Sequence, residues 1–329
     1  MPHLVAAPDK WRGSATATEV AAAIAAAAIA AGWTADAAPV SDGGEGFSAV
    51  LGGKPHIQRV HGPLGAPVEA AWNLLDDGVT ATVEMAAASG LTLAGGADRN
   101  DPVRASTAGT GELIAAAVKT GVRQVLIGMG GSATTDGGWG ALEALEPHSR
   151  LAGIDLQVGC DVTTRFLDAA AVFSPQKGAS PSEVELLTRR LLRLAQVYEE
   201  RYGVDVRDLE GSGAAGGLAG GLVAVGATLT SGFDLVAERI ELAERIEGAD
   251  LVIAGEGLLD EESFQGKAVG GVVALAAELG VPVLILAGDA VGDHPVAFRT
   301  LVETFGEERA WADPLGALGE LVAEVLAGR

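Results

Sequence analysis

Cysteine is all but missing from this chain: Cys160 is alone among 329 residues. An internal disulfide is therefore excluded, and the composition suits a reducing, cytoplasmic compartment. Positive charge is scarce as well. Lys and Arg number 22 against 44 Asp and Glu, a net charge of −22. Sequence-independent nucleic-acid binding needs clustered cations, so that class is set aside. A polyanionic ligand would need cationic groups placed locally against the overall field. The five histidines, at 3, 56, 61, 148 and 294, have no metal-ligand or catalytic-triad spacing. The Ala-rich run 20–31 is too short for a bilayer, which takes about 20 residues. It reads as a buried helix opened by a capping box of Thr16 and Glu19. The opening MPHLVAAPDK meets charge and a turn too early for a signal peptide. These exclusions leave a globular protein whose partner is a small molecule, with no nucleic acid and no membrane, and compatible with a homo-oligomer.

Glycine, by contrast, is abundant at 47 residues, and 48% of the chain is hydrophobic. Four short apolar runs each end in a glycine- or acid-bearing loop. They are 4–7 before Pro8-Asp9-Lys10, 125–127 before Gly128, 251–254 before Gly255-Glu256-Gly257, and 283–287 before Gly288-Asp289. Helical periodicity covers roughly 16–31, 110–120, 182–201, 266–279 and 315–327. Strands alternating with helices predict βαβ units, a largely parallel sheet, and ligands beyond the carboxyl ends of the strands. Residues 57–84 alternate differently, with turn signals at Gly62-Pro63 and Asp77-Gly78, and predict antiparallel strands. The expected fold class is α/β in two domains. A Rossmann-like parallel-sheet domain, 1–60 and 235–329, is interrupted by an inserted mixed α/β domain, 61–234.

The chemistry concentrates in loops. GMGGSATTDGG, residues 128–138, joins glycines to hydroxyls and an acid. Amides of Gly128, Gly130 and Gly131 with the Ser132 hydroxyl could cradle phosphates, and Asp136 could reach a metal. A Walker A loop is absent: Gly266-Lys267 is followed by Ala268, and Glu261 stands where the first glycine belongs. The stretch from Gly211 through Gly213 to Gly216 matches G-x-G-x-x-G, but a polar segment precedes it where a dinucleotide site needs a strand. With Gly217, it reads equally well as a close-packing helix or a ligand cradle. Acids recur among small residues: Asp42 in SDGGEG, Asp161 after Gly159-Cys160, and Glu256 between Gly255 and Gly257 with Asp260 shortly after. Magnesium usually takes one or two carboxylates plus phosphate oxygens, so acidic loops in an α/β chain point to a metal–phosphate site. Lys10, Arg12, Lys177 and Lys267, each near glycine or proline, are the cations that could balance a nucleotide.

In order along the chain, APDKWRGS, PVSDGGEG, VEMAAASGL, GTGELI, GMGGSATTDGG, CDV, VFSPQKGA, GSGAAGGLAGGL and GEGLLDEESFQGKA resemble the motifs of the type I glycerate kinases. The resemblance spans Ala6 to Gly288. It implies two α/β domains with the active-site cleft between them, and phosphorylation of D-glycerate by ATP with Mg²⁺. Lys10, Trp11 and Arg12 depart from the family's usual Ser, Phe and Lys. For in-line phosphoryl transfer, positioning and charge stabilisation dominate. The glycine loops 128–138 and 211–221, with Gly213, Gly216 and Gly217, are expected to hold phosphates. Asp42 and Asp161 are expected either to bind metal or to accept the acceptor hydroxyl's proton. Arg12 and Lys177 are expected to neutralise the transferring group or the acceptor carboxylate, and Asp136, Glu256 and Asp260 to bind metal. The alternative is a non-catalytic relative that binds a nucleotide or small hydroxy acid.

Overall fold

The computed structural model describes residues 1–264, 267–292 and 294–328. Gln265 and Gly266, at the end of the GEGLLDEESFQGKA motif, lie outside the described residues. The chain divides into two compact units, 1–42 with 233–329 and, between them in sequence, 43–232. Strands are numbered in chain order. No described helix is long and apolar enough to cross a membrane.

The discontinuous unit is built on a parallel five-stranded sheet. It contains β1 (His3–Pro8), β2 (Thr34–Ala37), β9 (Leu251–Leu259), β10 (Val283–Ala290) and β11 (Phe298–Thr300), in the order β11-β10-β9-β1-β2. Successive side chains of a strand face opposite ways, and here both faces are covered. Leu4, Ala6, Leu251 and Ile253 pack with Val20, Ile24, Leu318 and Leu321 on one side. Val5, Ala7, Val252 and Ala254 pack with Leu242, Ile246, Val269 and Val272 on the other. This double burial is why the strands read as continuous apolar runs. The helix Ala17–Ala30 begins at the expected capping box, with Thr16 Oγ1 accepting from the Glu19 amide at 3.2 Å and Glu19 accepting from the Thr16 amide at 2.9 Å.

The continuous unit carries a mixed six-stranded sheet. Its strands are β3 (Lys54–His61), β4 (Pro67–Leu74), β5 (Thr80–Glu84), β6 (Gln124–Gly128), β7 (Asp155–Gly159) and β8 (Thr228–Thr230), in simple sequence order. β3, β4 and β5 pair antiparallel, as the 57–84 pattern predicts, and β5 to β8 run parallel.

The sequence placed the first boundary near residue 60; the structure puts it between Asp42 and Gly43. Local bonding explains the difference. The Gly43 carbonyl accepts from Met129 N at 2.9 Å, and the Gly46 and Ser48 amides donate to Glu84 at 3.3 and 2.8 Å. Phe47 is buried in the same region. Residues 43–60 are therefore held by β4, β5 and the β6 loop.

Candidate active site

In a parallel sheet, ligands favour the crevice outside the carboxyl ends of the strands where the winding reverses. In the discontinuous unit that point lies between β1 and β9: β1 winds outward to β2, while β9 winds the other way to β10 and β11. Asp9 follows β1 directly, and its amide donates to the Gly255 carbonyl at 2.8 Å. Residues 38–42 run beside the same strand, Ala38 N bonding Ala6 O and Val40 N bonding Pro8 O, which brings Asp42 to the strand end. Lys10 Nζ stands 3.6 Å from Asp9 Oδ2 and 3.5 Å from Asp42 Oδ1. Glu256 lies on β9 next to Gly255, the partner of Pro8, and the Asp9 charge acts on it.

Burial is the main force on these groups. It pushes the Asp9 carboxyl up to about 6, with Asp42 adding to the rise and Lys10 opposing it. It likewise pushes Glu256 up to about 7, with Asp9 and Asp260 adding to the rise and Lys267 opposing it. Burial works against the Lys10 ammonium, but the charges of Asp9 and Asp42 outweigh it and raise its pKa. Glu256 Oε1 is buried with no hydrogen-bond partner. Asp260 caps a short turn, its Oδ1 accepting from Ser263 N at 3.0 Å, and lies 4.0 Å from Lys267 Nζ. Arg12 is exposed at the tip of a tight turn closed by Trp11 and Ala15. Carboxyls with raised pKa are concentrated at functional sites, although structural charge networks raise them too.

The continuous unit holds the rest of the expected residues, and several serve packing instead. A Cβ on Gly128 would come within 2.7 Å of the Gly43 carbonyl, and one on Gly130 within 2.5 Å of Gly44 Cα. These two glycines admit the backbone of Gly43 and Gly44, which belong to the same unit. A Cβ on Gly213 would meet Arg165 O at 2.4 Å, on Gly216 Thr134 O at 2.0 Å, and on Gly217 the Phe166 ring at 2.8 Å. The Gly213 amide donates to Thr164 O and the Gly217 amide to Gly213 O. The 211–221 segment is thus a buried packing element, not a phosphate cradle, and its left-handed turn at 215–217 precedes the regular helix.

The loop that remains open is smaller than expected. The amides of Gly130, Gly131 and Ser132 donate to no acceptor among the described residues, and Gly131 is exposed. Asp136 has another use than metal binding. Its Oδ2 accepts from Thr107 N at 2.8 Å and Gly140 N at 3.3 Å, while Oδ1 accepts from Gly138 N at 3.1 Å and Thr107 Oγ1 at 3.1 Å. Burial nevertheless raises its pKa against all these donors. Asp136 is thus spent on donors of its own unit, which leaves its oxygens engaged where metal binding was expected. Among the described residues no group of three or more His, Cys, Asp or Glu could hold a metal.

Lys177 is 2% exposed, so it acts on the loop rather than on a ligand. Its Nζ donates to Thr134 O at 2.7 Å, and burial depresses its pKa to about 7 despite Asp136. Asp161 follows β7 and accepts from Gly232 N at 2.9 Å. Burial and the Asp161 charge push the Cys160 thiol up to about 11, which makes it a poor nucleophile.

The glycerate kinase family model matches residues 4–148 and 146–305. The chain belongs to the glycerate kinase family. The glycerate kinase of Bacillus subtilis is 36% identical, covering 98% of this chain and 94% of its own. The glycerate 2-kinase of Escherichia coli K12 is 38% identical, covering 90% and 87%. A crystal structure of a Salmonella typhimurium LT2 protein assigned as glycerate kinase 2 superposes with a TM-score of 0.86 at 34% identity, covering 99% of this chain and 98% of that one. Within this glycerate kinase family member, the sequence pattern points to Asp42, Glu256 and Asp260. It does not join Asp9 to them, although Asp9 follows an apolar run directly and that position is the available signal.

Proposed function

We propose that the chain transfers the γ-phosphoryl group of ATP, with magnesium, to a hydroxyl of D-glycerate. The carboxylate cluster at the β1/β9 switch point carries this reading. Magnesium accepts one or two carboxylates and takes its other ligands from phosphate and water. Asp9 and Asp42 are two oxygen donors that already share a cation, Lys10, so the donor set fits, and these two residues would hold the ion. Once bound, the ion would neutralise phosphate charge.

Glu256 accepts the proton of the attacking hydroxyl in this reading. Its Oε1 is buried without a partner, and a carboxyl near 7 is matched to proton transfer at neutral pH. Arg12 offers a planar fork suited to the glycerate carboxylate or a phosphate. The Gly130–Ser132 amides form a second anion cradle. Asp161 is the other acid expected to bind metal or to take the hydroxyl's proton, and Asp161→Asn should lower kcat if it does either. Lys177 is a positioning residue that fixes Thr134 and hence the loop.

The test is ADP release with D-glycerate and magnesium-ATP, and ³¹P NMR of the product. Following the name of the Escherichia coli relative, 2-phosphoglycerate is the product expected. Nucleotide binding without ADP release would favour the non-catalytic alternative, for which the observation is Lys10 standing between the two carboxylates.

A further inference from the structure

We propose that Lys10 is a tethered counter-ion that competes with the divalent cation for Asp9 and Asp42, so that the cation binds only as the lysine swings away. This rests on the reading that those two carboxylates hold magnesium. The geometry separates fixed partners from a movable one. Asp9 is fixed by β1, by the bond from its amide to Gly255, and by its Oδ1 accepting from the Lys10 amide at 2.7 Å. Asp42 is fixed by the backbone bonds that run residues 38 and 40 along β1. The Lys10 ammonium sits on a flexible four-carbon stem and lies at 3.6 and 3.5 Å from the two carboxylates.

Charge then decides the competition. Asp9, Asp42 and Lys10 together carry one net negative charge, with the Arg12 charge acting on the lysine and the Asp9 charge acting on Glu256 beside them. With a divalent ion alone the two carboxylates are neutral. Holding both would put like charges side by side in a partly buried place, where screening is weak. The ammonium therefore leaves as the ion enters, and a phosphate oxygen is the partner its charge next suits. The consequence is weak binding of the free ion, with the ion arriving already on its nucleotide.

The experiment is an EPR titration of the full-length, nucleotide-free protein with Mn²⁺. Lys10→Ser is expected to bind Mn²⁺ at least about tenfold more tightly than wild type, a difference of about 1.4 kcal/mol. Lys10→Arg should bind like wild type, and adding Asp42→Asn to Lys10→Ser should remove the gain. Lys10→Met, equal in length but uncharged, serves if the serine variant does not fold. Unchanged or weaker Mn²⁺ binding in either folded uncharged variant overturns the proposal. The wild-type ADP assay keeps the two readings apart. Turnover with unshifted Mn²⁺ affinity sinks the counter-ion and spares the kinase, and a shift without turnover does the reverse.

Discussion

Asp9 and Glu256 are carboxyls placed where ionisation is costly, and each makes a measurable prediction. Glu256 must be ionised to take a proton, so kcat should rise with pH through about 7 and level off above it. Glu256→Gln should lower kcat by roughly 10²- to 10⁴-fold and abolish that limb of the profile. A Gln variant that keeps both rate and pH dependence would remove Glu256 from the chemistry. Asp9 predicts stability. Its folded pKa is raised to about 6 from 3.8, so its contribution is fully present below pH 3.8 and lost as pH rises through about 6. Wild type should therefore lose on the order of 2–3 kcal/mol from this group between acid and neutral pH, and Asp9→Asn should not. Urea unfolding midpoints at the two ends of that range, compared between the two proteins, check it. The acids themselves were legible as strand-end residues, but their altered acidity was not, because it arises from burial by residues distant in sequence.

At the scale of the element, glycine is the residue whose meaning sequence left most ambiguous. The same absence of a side chain serves a ligand, a left-handed turn or a neighbouring backbone. In 211–221 the neighbour is the chain itself, and only the fold brings Thr134, Gly137 and Phe166 against it. Gly216 combines φ +67° with a Cβ position 2.0 Å from Thr134 O, so Gly216→Ala should destabilise by about 2–4 kcal/mol or prevent folding. Gly131, at φ +73°, has as its nearest obstacle the Ala86 side chain at 3.3 Å. Gly131→Ala should therefore remain folded, at a cost of about 1 kcal/mol, and weaken ATP binding instead. Thermal melts and nucleotide titrations of the two variants separate packing from ligand binding. If Gly131→Ala binds ATP normally, the 130–132 cradle is wrong. The strands and the 17–30 helix were legible because apolar runs and a capping box act locally. The 43–60 segment was not, since its hold on Glu84 and Met129 spans tens of residues.

For the molecule as a whole, kinship and charge act together. A chain of net charge −22 repels ATP and glycerate at long range, and salt shortens that reach. KM for both substrates should fall as ionic strength rises from about 0.01 M to 0.15 M, where the screening length shrinks from about 30 Å to 8 Å. A rising KM would mean that local cations such as Arg12 dominate the approach. Fold class and family were legible across the whole sequence because motif order survives where single residues change. If this family member is a catalyst, it works through the β1/β9 carboxylates. The most direct measurement is the initial rate of ADP release from magnesium-ATP with and without D-glycerate, for wild type and Glu256→Gln side by side. Wild type should release ADP in a glycerate-dependent way, and the variant should nearly lose that release. Equal rates in the two proteins, or no glycerate-dependent release by wild type, would contradict that expectation.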